Sequence, residues 1–448
     1  MSKPIRFYDY ARLTPANRRK LLTRTEADIS HFIEGVKPII DNVRQNGDDA
    51  LVHYARELDK AEIARDAIKA KPENFDRAFA HLDPSLIETI EFAADRIKRF
   101  HQEQMPDAMR LAEPFPGVFA GDRFTPISSV ACYVPRGKGA FPSVVMMTTI
   151  PAVVAGVPKI IILTPPGPDG EIDDATLVAA RVAGVDAVYK CGGAQAVAAV
   201  AFGTETVPKA VKIVGPGSPW LVAAKKVLAD VIDPGTPAGP SESLVLADGS
   251  ASTKAAALDL IIESEHGPDS SAFLVTPDRS LAEDVMATIP MLWKQMGESR
   301  VNFSSTVLGG EKGGVILTQD MDQAIEFVND YAPEHLEVLS AAPFTYLDRL
   351  VNAGEILLGQ NTPISLGNFV LGPNAVLPTS GAAKTHSPLS VYDFLKMTSI
   401  GYVTPGAYPE LARHAHKLAT YEGFDGHALA VSDARPVDSS LDPVKTKP

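Results

Sequence analysis

Glu263 and His266 stand three residues apart in the run Glu263-Ser264-Glu265-His266-Gly267-Pro268-Asp269. In a helix that spacing puts both side chains on one face. A carboxylate and an imidazole so placed suit a divalent metal such as zinc. A second run, Tyr331-Ala332-Pro333-Glu334-His335-Leu336, sets a carboxylate and an imidazole side by side after a proline, a pairing suited to proton transfer. Adjacent residues on a helix diverge by about 100°. Glu334 and His335 can therefore serve one site only near a helix start or in a loop, and Pro333 argues for that. Each pair also has a plain reading: a solvated helix face for the first, and an exposed capping carboxylate beside a surface imidazole for the second. The Gly267-Pro268 stop puts the first pair at a helix end, where sites form. Together the pairs point to a metal-assisted enzyme.

Other segments carry weaker signals. Cys191-Gly192-Gly193-Ala194-Gln195 follows a strand and opens a helix; small residues there let the backbone approach a ligand, and a helix N-terminus favours phosphate. Gly215-Pro216-Gly217-Ser218-Pro219-Trp220 has Trp220 where a dinucleotide fingerprint needs glycine. No Walker A sequence occurs, and Gly309 to Gly314 reads as a turn. Cys132 and Cys191 could trap an aldehyde, but neither has a neighbouring His or an activating context, so packing is favoured.

Composition bounds the rest. The 448 residues are 45% apolar and 22% charged, a globular balance with enough chain for two or three domains. A formal charge of -13 without basic runs argues against nucleic acid as partner, and an anionic substrate would need a locally basic pocket. Two cysteines cannot make a disulfide framework, which suits a reduced compartment. The first twenty residues lack the apolar core of a signal peptide. The most apolar stretch, Ile150 to Pro166, is broken by Pro151, Pro158 and Lys159 and is too interrupted to span a bilayer. A soluble cytoplasmic protein without membrane contact is expected.

The elements that must position these residues alternate. Residues 1–28 read as a short arm and 29–105 as helical, with Ser85 to Gln102 at helical spacing. Strands are expected at Ser128–Val134, Ile160–Thr164, Ala187–Lys190 and Val211–Val214, and helices at Ser143–Val154, Asp174–Ala183 and Ala194–Ala201. Such a rhythm predicts a doubly wound α/β unit with a parallel sheet. Punctuation from Pro234 to Pro240 marks a boundary. A second α/β region follows, with strands at Leu244–Leu246, Phe273–Thr276 and Gly314–Leu317 and helices at Thr253–Ser264 and Met321–Asp330. Beyond about Tyr392 the chain is read as polar and helical.

The segments "YVPRG" from Tyr133, "GGAQAVAAVAFGTETVPK" from Gly192, "GPG" from Gly215, "PAGPSE" from Pro237, "ESEHGPD" from Glu263, "YAPEHL" from Tyr331 and "LPTSG" from Leu377 resemble the histidinol dehydrogenase superfamily from about residue 25 to 430. The resemblance implies an NAD- and zinc-dependent enzyme that carries a primary alcohol through an aldehyde to a carboxylate, consuming two NAD. It implies two Rossmann-like doubly wound units, one inserted in the other: residues 29–134 and 242–389 for the first and 135–241 for the second, NAD-binding one. Residues 1–28 would be an N-terminal arm and 390–448 a C-terminal tail swapped between the subunits of an intertwined homodimer. It matches Glu263, His266, Asn368 and His427 to zinc ligands and Glu334 and His335 to the catalytic pair. Tyr133, Gln195 and Ser218 match cofactor contacts; Ser241 and Glu422 are placed with the substrate.

Departures from the family pattern bear on the substrate. Glu263 stands where histidinol dehydrogenases have Gln, and Asn368 where they have Asp, so the summed ligand charge is unchanged. Ala375 replaces a His near the substrate. The chain looks closer to the branch that oxidises 2,3-dihydroxypropane-1-sulfonate to sulfolactate. Arg136, Lys384, Thr385 and His386 are candidates for holding the sulfonate, and each is also a plausible exposed side chain. Histidinol, or another small polyol, is the alternative substrate.

Overall fold

The computed structural model describes residues 4–23, 29–136 and 139–436. Parts of the two expected arms (1–3, 24–28 and 437–448) lie outside the described residues. The chain divides into two compact units, residues 1–105 with 127–394 and residues 106–126 with 395–448.

The first unit holds two parallel sheets, as the α/β rhythm predicts. The larger has six strands in the spatial order Phe7–Asp9, Gly313–Leu317, Ser271–Thr276, Glu242–Ala247, His335–Leu339 and Glu355–Leu358, all parallel. The smaller runs Val188–Lys190, Ile160–Thr164, Val130–Tyr133, Lys212–Val214, again all parallel. Most of these strands are continuous apolar runs buried on both faces, as parallel strands under helices on both sides must be. The smaller sheet lies in sequence between the first strand of the larger and the rest, so one α/β unit is inserted in the other.

Two expected boundaries move. Val130–Tyr133 was assigned to the first α/β unit but pairs with Ile160–Thr164 and Lys212–Val214, and so belongs to the inserted sheet. Helix Ser30–Glu57 goes with it, because Val36, Ile40, Val43 and Leu51 share a core with Val197, Val200 and Leu221 of helices Gly193–Phe202 and Pro219–Val227. The N-terminal arm also does more than extend, since Phe7–Asp9 forms the edge strand of the six-stranded sheet.

The second unit corrects the expectation of a purely helical tail. Strand Leu395–Val403 pairs antiparallel with Val118–Pro126, which forms a hairpin with Met109–Phe115. Leu395–Val403 has no buried residue, so it lacks the apolar alternation that reveals a half-buried strand. Helices Tyr408–Tyr421 and Asp425–Ala430 follow. No helix among the described residues is long and apolar enough to cross a membrane.

Docking of the edge strand depends on Gly314. Its φ is +122°, and a Cβ there would stand 2.2 Å from the Arg6 carbonyl oxygen, which accepts from Val315 N at 2.8 Å. Gly314→Ala is expected to cost about 1–3 kcal/mol, seen as a lower Tm in thermal unfolding. An unchanged Tm would show that the edge strand docks without this close approach.

Candidate active site

Helix Thr253–Ser264 starts on the Ser252 cap and buries Ala256, Ala257, Leu260 and Ile261 in the core. Its helical period turns Asp259 and Glu263, four residues apart, to one face, and both are buried. Glu263 Oε1 accepts from Asn368 Nδ2 at 3.0 Å. Its buried Oε2 makes no hydrogen bond and faces His266 Nδ1 at 3.1 Å. Burial alone would raise the Glu263 pKa. The His266 and His335 imidazoles, with Asn368 and Ser241 close by, hold it below the ordinary value. The structure thus joins Glu263, His266, Asn368 and Ser241.

Glu334 and His335 arrive by a different device from the one expected. Helix Met321–Tyr331 is anchored by Tyr331, whose hydroxyl pairs with Ser271 Oγ at 2.7 Å. It ends on Ala332 in the left-handed conformation. Pro333 then feeds Glu334 straight into strand His335–Leu339. The pair sits at the head of a central strand, not at a helix start, and both side chains are buried rather than exposed. Glu334 Oε2 accepts from Glu242 N at 2.8 Å, and Glu334 Oε1 lies 3.8 Å from His335 Nε2. Burial pushes the Glu334 carboxyl up, although His335 opposes the shift. Burial would lower the His335 pKa, but Glu334, Glu263 and Glu355 outweigh it and raise it.

Three carboxylates escaped the sequence reading. Glu355 Oε1 lies 2.5 Å from His335 Nδ1. Glu337 is fully buried two residues beyond His335 on the same strand face, and Asp259 lies beside it. The signal was present as polar alternation, His335-x-Glu337, in an otherwise apolar strand, with a glutamate opening the next one.

The cofactor candidates gather elsewhere, at the carboxyl ends of the smaller sheet. Tyr133 closes its strand, and its hydroxyl accepts from Gly193 N at 3.0 Å. Gln195 is buried with Oε1 lacking a hydrogen-bond partner, as is Asp59 Oδ2. Burial pushes the Asp59 carboxyl up to about 6, with Arg136 pulling the other way. Gly215 packs on the Tyr133 backbone, and exposed Ser218 stands at the N-cap position of the following helix without a side-chain cap bond. Strands on either side of Val130–Tyr133 connect in opposite directions here, the switch point where open α/β sheets bind ligands.

Each of the other expected substrate residues has its own surroundings. Arg136 is exposed, donates to the Pro166 carbonyl at 3.3 Å and lines a cleft with Arg77, His81 and Asp169. Lys384, Thr385 and His386 lie on an exposed turn, where Thr385 Oγ1 and His386 Nδ1 pair at 3.0 Å. Glu422 and His427 are exposed residues of the second unit. Ala375 stands beside buried Asn374, whose amide bonds the Met147 carbonyl and the Val376 N–H. Both cysteines are buried and free. Burial pushes the Cys132 thiol up to about 12 and Cys191 well above its ordinary value, so both serve packing.

A parallel α/β scaffold that sets a buried carboxylate–imidazole pair beside a second such pair is an arrangement suited to proton transfer. Residues 22–435 match the model of the histidinol dehydrogenase family. A histidinol dehydrogenase homolog of Colwellia psychrerythraea is 58% identical over 435 residues, covering 97% of this chain and 98% of that protein. A histidinol dehydrogenase of Synechocystis sp. is 45% identical over 428 residues, covering 96% and 98%. The crystal structure of histidinol dehydrogenase from Elizabethkingia anophelis superposes with a TM-score of 0.91 at 31% identity, covering 96% and 98%. The chain belongs to the histidinol dehydrogenase family and is an oxidoreductase of that type.

Glu337 supplies a pH test of the buried acids. Burial, then Asp259 and Glu355 nearby, push its carboxyl up to about 10. The folded chain keeps a proton that the unfolded chain gives up above the ordinary value of 4.5. Its contribution to stability is therefore complete below that value and is lost as pH rises toward 10. Glu337→Gln is expected to raise Tm at about pH 8.5 and to leave it unchanged near about pH 5. Equal Tm values at both pH settings would show that Glu337 does not hold this proton.

Proposed function

We propose that the chain is a zinc-dependent, NAD-linked dehydrogenase that takes a small primary alcohol through an aldehyde to a carboxylate. The substrate favoured is 2,3-dihydroxypropane-1-sulfonate, giving sulfolactate. The observation that carries the reading is the buried cluster of Glu334 and His335 beside Glu263, His266 and Asn368.

The residues fit the metal. Glu263 presents a buried oxygen without a hydrogen bond. His266 Nδ1 lies 3.1 Å from the Ile262 carbonyl, the backbone tether that orients a ligating imidazole and leaves Nε2 for a cation. Asn368 gives its amide N–H to Glu263 and keeps its carbonyl oxygen as a neutral donor. Glu263, His266 and Asn368 would hold zinc, with His427 from a second copy of the chain. Zinc when bound supplies a Lewis acid toward the substrate oxygen, and NAD when bound accepts the hydride.

The chain's own side chains do the proton work. His335 takes the hydroxyl proton at Nε2, and Glu334 takes a proton from the water that adds to the aldehyde carbon. Tyr133, Gln195 and Ser218 frame the nicotinamide cofactor at the switch point. The second unit leaves Met109, Phe115, Met397, Leu418, Tyr421 and Leu429 exposed, an apolar surface that suits a homodimer.

Two observations weigh against histidinol as the substrate. The relative called a homolog is closer, at 58% identity, than the Synechocystis histidinol dehydrogenase at 45%. Ala375 also offers no polar side chain beside Asn374, whose amide is spent on the Met147 carbonyl, the Val376 N–H and His101 Nε2. Charge-assisted hydrogen bonds to a sulfonate contribute about 1.5–3 kcal/mol each. Comparing kcat/KM for the sulfonate diol, histidinol and glycerol with NAD, on the alkaline side where His335 can lose its proton, is expected to rank the sulfonate first. Histidinol turnover equal to or better than the sulfonate's overturns the substrate reading.

The metal has its own test. His266→Ala is expected to lose both bound zinc, measured by elemental analysis, and activity. Full zinc occupancy in that variant refutes the ligand set.

A further inference from the structure

Glu355 takes no part in the proton transfers assigned above, yet it is fixed from two sides. Its strand pairs in register with His335, and Glu355 N donates to the Glu334 carbonyl at 3.0 Å. Across from it, a Cβ on Gly367 would lie 3.1 Å from both Glu355 oxygens. The glycine just before Asn368 thus leaves the space against which the carboxylate rests. Between these constraints Glu355 Oε1 meets His335 Nδ1 at 2.5 Å, with the side chains 8% and 4% exposed. An imidazole whose Nδ1–H is given to a carboxylate presents Nε2 as its basic nitrogen on the opposite side. Nε2 is the nitrogen turned toward Glu334.

We infer that Glu355 is a positioning residue for the reaction: it holds His335 in the Nδ1–H tautomer with Nε2 aimed at the substrate, and it stabilises the imidazolium once Nε2 has taken a proton. The inference rests on the reading of His335 as the base. In that step the substrate O–H bond breaks and an Nε2–H bond forms. The Nδ1 proton stays on the ring, and Glu355 exchanges none.

The tautomer can be read without turnover. In protein labelled with 15N-histidine, with His335→Asn locating the resonance, the proton on the alkaline side is expected on Nδ1. Glu355→Ala is expected to give a mixture of tautomers. In the same preparations Glu355→Ala and Glu355→Gln should lower kcat for alcohol oxidation roughly 10- to 100-fold, leaving the KM values for alcohol and NAD within about threefold. Glu355→Asp should recover part of the loss. Gly367→Ala crowds the carboxylate without removing it and is expected to fall between wild type and Glu355→Ala. An unchanged tautomer in Glu355→Ala, or a lost tautomer with undiminished kcat, overturns the role. A wild-type chain that oxidises no alcohol with NAD defeats the functional reading, while the tautomer still decides the positioning one.

Discussion

Three carboxylates, from Glu263, Glu334 and Glu355, converge on the imidazole of His335 where almost no solvent reaches, and burying that much negative charge requires an answering positive one. His335 supplies it, which is why its pKa rises despite burial. Glu334 meets the same constraint from the other side: desolvation pushes it up, and the His335 charge only partly offsets that. Glu334 and His335 therefore hold protons more tightly than free side chains would, while Glu263 holds one less tightly. Removing the imidazole would leave the carboxylates as unpaired buried charges, a far larger penalty than the loss of one contact.

The fold delivers these side chains to one place by using the two ends of its sheets for different tasks. In the six-stranded sheet, Glu242, His335 and Glu355 all stand at the amino ends of adjacent strands. Helix Thr253–Ser264 begins past the carboxyl end of Glu242–Ala247 and runs back, so its last turn carries Glu263 to the same edge. In the inserted sheet, Tyr133, Cys191-Gly192-Gly193 and Gly215 stand at the carboxyl ends instead. Proton chemistry is thus set on rigid strand starts, while the cofactor candidates sit on loops where glycine allows close approach. Ala332 carries the sharpest local demand, a left-handed non-glycine residue directly before a proline. It is the turn that lets a buried helix end feed Glu334 and His335 into the sheet without an intervening loop.

Much of this was legible in the residues because parallel strands buried on both faces are continuous apolar runs. Ile160–Thr164 and helix Thr253–Ser264 match their expected limits. The two carboxylate–imidazole pairs were legible for the same reason that makes them work: ionisable groups interrupt apolar sequence only where something repays the burial. Long-range pairing was not legible. Nothing local to Val130–Tyr133 says which sheet it joins, and that depends on Ile160–Thr164 and Lys212–Val214. Leu395–Val403 hides for the opposite reason, since a strand without buried residues has no alternation to read. Glu355 was missed because a single glutamate at the head of a strand looks like a solvent-facing end until register places it opposite His335.

Two cysteines in a chain of a dehydrogenase family invite a thiohemiacetal route for an aldehyde, and the physical state of both argues against it. A thiol acts as a nucleophile only as thiolate. Cys132 is buried, donates to the Thr148 carbonyl at 3.4 Å and is pushed up to about 12. Cys191 is buried near Asp59 and Asp48, whose charges push it the same way as burial does. Burial keeps both protonated at an ordinary pH, so in the proposed reaction the aldehyde would be hydrated by oxygen chemistry. In the proposed reaction Glu334 would suit that task, because burial raises its pKa and makes it a stronger base than an exposed glutamate once it has lost its proton. The feature that makes the pair costly to bury is then the one that makes it useful: the imidazole keeps the carboxylate paired, and the missing water keeps it basic.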